Sequence, residues 1–186
     1  MEIDISSERI KGIFDIEQYC KDKNINTKKV KDLYCQDNHI IELKGLEKLV
    51  NLEWLNCNYN EIKALNGLDK LVNLEMLDCN NNKINNLNLN KLVNLEVLDC
   101  SSNKLTELNL NKLINLKYLY CENNKLTELN LNKLINLKYL YCENNKLTEL
   151  EGLDKLVNLE VLDCDNNKLT ELEGLDKLVN LKELKK

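Results

Sequence analysis

Apolar and polar positions alternate along this chain in one recurring phrase. A clear copy runs Leu52-x-x-Leu55-x-Cys57-x-x-Asn60-x-Ile62-x-x-Leu65. Cysteines at positions 35, 57, 79, 100, 121, 142 and 164 mark successive copies, at a nearly constant period. An asparagine stands three positions after each, from Asn38 to Asn167. Asn109 to Leu129 is repeated without change as Asn130 to Leu150. Self-similarity at this period marks a stacked-repeat architecture, because one unit cannot bury its own leucines and neighbours must share a core. The short run around each cysteine reads as an extended strand, and in-register stacking aligns such runs into a parallel sheet. Strands about 4.8 Å apart make seven or eight of them a sheet roughly 35 Å long. The remainder of each copy leaves space for turns or 3₁₀ pieces on the opposite side.

The phrase L-x-x-L-x-L-x-x-N-x-L, with cysteine in the third apolar slot, resembles the leucine-rich-repeat family over about residues 25–186. The 22-residue copies, such as Leu150 to Leu172, are similar to the short class of protein phosphatase 1 regulatory subunits and bacterial internalins. The resemblance implies an α/β solenoid, a right-handed coil with a parallel sheet on the concave side and turns on the convex side. It also implies that the asparagine column satisfies backbone groups of its own and the next coil. The 21-residue copies lose the glycine present at Gly45, Gly67, Gly152 and Gly174, which should tighten the convex turn.

Both ends depart from the phrase. Residues 1–24 are expected to be a partly helical capping segment, with Asp15 as N-cap, Gln18 reaching back and a helix from about Ile16 to Lys23. Residues 25–186 are expected to hold seven repeats and a truncated eighth. In the last, Leu181 and Leu184 fill the first two apolar slots and Lys186 stands in place of the cysteine. An uncovered edge there would be adhesive, so an end-to-end homodimer is an expectation beside a simply frayed last repeat.

Charge narrows the partners. Net charge is -5, from 26 basic and 31 acidic residues, and Arg9 is the sole arginine. Nucleic acid and anionic membrane both demand a basic face, so neither is expected. The start carries acidic residues and no apolar run of signal-peptide length, which places the expectation in a cytoplasm. No Cys-x-x-Cys pair occurs and His39 is the only histidine, so neither a metal nor another cofactor is expected. The cysteines read instead as small buried hydrophobes in a reduced compartment. The lysine column from Lys48 to Lys177 reads as a solvated convex face. Glu107, Glu128, Glu149 and Glu171 are expected to balance Lys104, Lys125, Lys146 and Lys168 locally.

If leucine and cysteine point inward, the residues around them point outward. The first outward column includes Trp54, Met76, Val97, Tyr118, Tyr139 and Val161. The second includes Asp78, Asp99, Tyr120, Tyr141 and Asp163, and the third Glu122 and Glu143. Exposed tryptophan and tyrosine anchor protein interfaces, and carboxylates beside them suit a protein or peptide carrying lysine or arginine. Cross-strand tyrosine pairs also stabilise a sheet with no partner at all. Asp78 and Asp99, neighbours on adjacent strands, could raise a pKa or hold a cation, but nothing in the chain forms a nucleophile-base pair or a phosphate-cradling loop. The expected function is therefore a non-catalytic protein-interaction module. The alternatives are a self-assembling unit using its C-terminal edge and a binder akin to phosphatase regulatory subunits.

Overall fold

The computed structural model describes residues 1–186. Nine parallel strands form one continuous sheet: β1 (Glu2–Asp4), β3 (Asp32–Tyr34), β5 (Trp54–Asn56), β6 (Met76–Asp78), β7 (Val97–Asp99), β8 (Tyr118–Tyr120), β9 (Tyr139–Tyr141), β10 (Val161–Asp163) and β11 (Glu183–Lys185). Each strand is three residues long, and its central leucine or isoleucine lies in register with the next. Those centres, the seven cysteines of the ladder and the leucines of the far side merge into a single core of 51 buried side chains. The solenoid therefore has no separate domain cores. Its stability is shared between neighbouring coils.

Opposite the sheet, 3₁₀ turns stand at Leu46–Lys48, Leu68–Lys70, Leu153–Lys155 and Leu175–Lys177. Each follows a glycine in the left-handed region. Gly152, at φ +82°, shows why: a Cβ there would lie 2.7 Å from the Asn132 nitrogen of the preceding coil. The three 21-residue coils lack both the glycine and the 3₁₀ turn. A recess of about 570 Å³ opens beside them, with Glu107, Glu128, Glu149 and Glu151 on its walls. The local pairing expected of Glu107, Glu128, Glu149 and Glu171 with lysine does not form. Other ion pairs join chain neighbours, as in Lys70–Asp69, or cross between coils, as in Lys31–Glu53, Lys83–Glu61 and Lys117–Glu96.

The segment 1–24, expected to cap the first repeat, is itself a coil of the ladder. Ile3 pairs in register with Leu33, and Ile5 takes the cysteine slot. Ser7 has the left-handed backbone (φ 57°) that recurs two positions after each ladder cysteine, from Asp37 to Asn166. Ile10 donates its amide to Asn38 Oδ1 at 2.8 Å, as Ile40 does to Asn60. Glu8 occupies the asparagine slot, which hides the relationship in the sequence.

A second sheet of β2 (Lys11–Asp15) and β4 (His39–Lys44) slips its register between Gly12 and Ile13. The extra residue is Ile41 of β4, which is left unpaired and exposed, and the shift sets Phe14 opposite Leu43. Helix α1 (Ile16–Asp22) then stacks beside Gly45 and buries Ile16 and Cys20. Asp15 caps it by accepting from the Gln18 amide, while the Gln18 side chain bonds Asp22 instead of reaching back. No helix is long and apolar enough to cross a membrane.

Candidate functional site: the concave sheet face

Two asparagine columns hold the coils at a common spacing. In the first, Asn124 accepts from the Leu105 amide at 2.9 Å and donates to Cys100 O, Cys121 O and Glu122 O. The same pattern runs from Asn38 to Asn145, and Asn167 shares it. The second column is Asn51, Asn73, Asn94, Asn115, Asn136, Asn158 and Asn180, each donating to a carbonyl of the preceding coil. Its signal is present in the repeat, as an asparagine three positions before each strand. The first column is buried from Asn38 to Asn145, where an amide left without partners costs about 1–3 kcal/mol, so it locks coil to coil; the second is exposed and adds bonds between coils at the surface.

The thiols sit inside this lattice and all eight cysteines are free and buried. Burial pushes the Cys35 thiol up to about 12 and Cys164 to about 11. They remain protonated and unreactive, serving as small apolar side chains of the core.

With leucine and cysteine inward, the outward columns stand as the spacing implies. Strand register aligns Trp54, Met76, Val97, Tyr118, Tyr139 and Val161 in one row. Asp78, Asp99, Tyr120, Tyr141 and Asp163 lie in the next row. Trp54 is 42% exposed. The four tyrosines, expected to be exposed, are half-buried because they cover one another. Tyr118 stacks on Tyr139 with ring centroids 5.0 Å apart, and Tyr120 on Tyr141 at 5.1 Å. Such offset pairs contribute about 0.5–1.5 kcal/mol each beyond the area they bury. Stabilising the sheet and offering a flat aromatic platform are compatible tasks.

The carboxylates divide into three kinds. Asp78 and Asp163, expected at the surface, are buried. Asn58 and Asn80 amides wrap Asp78 at 2.6 and 2.8 Å, and Asn80 also donates to Asp99 at 2.9 Å. Burial, then the nearby Asp99, pushes Asp78 up to about 6. Asp163 accepts from Lys185 at 3.1 Å. Glu122 and Glu143 are half-buried, and the Oε2 of each is enclosed without a hydrogen-bond partner. Burial dominates both: Glu122 rises to about 7, and Glu143 rises as well. Lys185 is the only cation within ion-pair distance of Asp78, Asp99, Glu122, Glu143 or Asp163.

Comparison with known proteins agrees with this geometry. Residues 50–91 and 135–177 match the family described as leucine rich repeats (2 copies). Comparison with curated protein sequences finds no match. The functional domain of InlJ from Listeria monocytogenes, described as including a cysteine ladder, is 36% identical with a TM-score of 0.79. That match covers 83% of this chain and 34% of InlJ. Internalin C2 from the same organism is 26% identical with a TM-score of 0.87, covering 98% of this chain and 79% of that one. YopM, a leucine-rich effector protein from Yersinia pestis, is 26% identical with a TM-score of 0.80, over 98% and 47% of the two chains. The chain thus spans about a third of InlJ and about half of YopM. From its in-register strands, asparagine columns and inward thiols, the chain belongs to the leucine-rich-repeat proteins, internalin-like, with short repeats that each bury a cysteine.

Proposed function

We propose that this chain is a non-catalytic protein-binding module that holds its partner on the concave face of the sheet. One observation carries the reading: Trp54 and two stacked tyrosine pairs share a face with a group of carboxylates that have a single cationic neighbour. Aromatic side chains on a rigid sheet cost little entropy to dock, and uncompensated carboxylates select a partner bearing lysine or arginine. The likeness to internalins and to an effector protein supports a binding role of this kind. The test is capture of the native partner from the source cells by wild type and by a variant with Tyr118, Tyr120, Tyr139 and Tyr141 changed to serine. The variant should keep its circular dichroism spectrum and lose the partner. Undiminished capture by the folded variant would refute the concave face as the binding surface.

A second reading rests on the last strand. β11 has an unpaired edge, and beside it Val179 is 80% and Leu184 40% exposed. A second copy meeting that edge would bury both and pair the free backbone groups. Sedimentation equilibrium over a hundredfold concentration range tests it: a single monomeric species throughout rejects association, and Leu184→Lys should abolish any that is seen.

A further inference from the structure

The first outward row is apolar without interruption from Trp54 through Met76, Val97, Tyr118 and Tyr139 to Val161. It crosses six coils, about 24 Å at the strand spacing of parallel sheets. On one side of it lie Asp99, in the second outward row, and Glu122 and Glu143, in the third row beyond Tyr120 and Tyr141; none of the three touches a lysine or arginine. An apolar stripe with a single-sign flank is the complement of an amphipathic helix with a basic edge.

The spacing chooses between a helix and an extended segment. A helix lying along the solenoid axis presents one face at alternating three- and four-residue steps, a mean advance of roughly 5 Å. Over six coils that pattern stays within about 2 Å of the strand repeat, inside the reach of leucine and lysine side chains. An extended chain presents one face every ~6.6 Å, so it slips by about 2 Å per coil and is out of register by the second. The strands' backbone groups are already paired to neighbouring coils, so an extended segment gains no ladder bonds along this face. Strands of three residues also make a surface about 10 Å wide, the breadth of one helix with its side chains.

We infer that the concave face receives an amphipathic helix of a partner protein, with its apolar ridge on the Trp54–Val161 stripe and a lysine- or arginine-bearing flank on Asp99, Glu122 and Glu143. This rests on the concave-face reading above and adds the chemistry and shape of the partner. The helix spans about sixteen residues to meet all six coils. Its basic flank lies over the Glu122 and Glu143 carboxylates, whose Oε2 atoms have no hydrogen-bond partner within the chain.

The probe is a synthetic seventeen-residue helical peptide with leucines at alternating three- and four-residue steps and lysines along one adjoining flank. Trp54, the only tryptophan, reports docking through its emission. Three further peptides keep the length: one with the leucines redistributed around the helix, one with two central prolines, and one with glutamate in place of the flanking lysines. Expected are saturable binding to the native protein with a blue shift of Trp54, at least tenfold weaker binding of the glutamate peptide, and no measurable binding of the redistributed and proline peptides. Val97→Ser with Tyr118→Ser should weaken the lysine peptide at least tenfold, and Glu122→Gln with Glu143→Gln about fivefold or more. Equal binding of the proline peptide would overturn the helical shape, and equal binding of the glutamate peptide the basic flank. Absence of binding by the lysine peptide overturns the inference as a whole. None of these results depends on the capture experiment with the native partner, which alone decides whether the concave face is used.

Discussion

Glu122 on the concave face offers a quantitative test of the site's electrostatics. Its Oε2 is enclosed without a partner, and burial raises the group from 4.5 to about 7, with Asp99 and Glu143 adding to the effect. A carboxyl whose folded pKa lies above its unfolded value binds more protons when folded. Between about pH 4.5 and 7 the wild-type protein therefore loses stability as pH rises, and below that window the penalty vanishes. The full displacement corresponds to roughly 3 kcal/mol at about 1.36 kcal/mol per decade. The side chain is partly open to water, so screening reduces this to about 1–2 kcal/mol. Glu122→Gln keeps the shape and cannot ionise. Urea unfolding of both proteins at pH 4.5 and pH 8 should show near-equal midpoints at the lower pH. At the higher pH the variant should be more stable by about 1–2 kcal/mol, with unchanged m. A variant of equal or lower stability at pH 8 would show that the carboxylate is satisfied by water or a cation, and the argument for a partner's basic flank would lose its energetic support.

The lattice and thiols carry further expectations. Asn124→Leu strands the Leu105 amide and the Cys100 and Cys121 carbonyls, and should cost about 3–5 kcal/mol in urea unfolding; a loss under about 1 kcal/mol would mean the amide column is decorative. Gly152→Ala forces a Cβ to 2.7 Å from Asn132 N and should cost more than about 2 kcal/mol, while Gly12→Ala, at nearly the same φ of +81° but facing open space, should cost only the left-handed backbone strain of about 1 kcal/mol. Urea midpoints of the two variants check the difference, and equal losses would discount the contact with Asn132. The eight buried thiols should be silent to a thiol reagent in the folded protein and titrate as eight after denaturation. Fast modification of the folded chain would contradict their inward placement.

Much of the site was legible before any coordinates because the repeat is short and nearly exact. Once Leu55 and Cys57 face the core, alternation alone sends Trp54 and Asn56 to the other side, and stacking turns each such position into a column. The first coil was missed because Glu8 and Ile5 replace the asparagine and cysteine. A register slip opposite Gly12 then leaves Ile41 unpaired and exposed, between Ile40 and Leu43 that stay in the core. Periodicity cannot foresee such a slip, since it depends on how β2 meets β4.

What the amino-acid order determined by itself was the direction of each side chain, inward or outward, because that follows from a strand's alternation and the need to bury leucine. What only the tertiary structure decided was how far each outward group stands from water. Asp78 is sealed by Asn58 and Asn80 from its own and the preceding coil, Asp163 is held by Lys185, and Tyr118 and Tyr139 shield each other at 5.0 Å. Exposure and charge at those positions are set by neighbours a full coil away along the chain. They arise from the distance between coils, which the core packing and the two asparagine columns impose together.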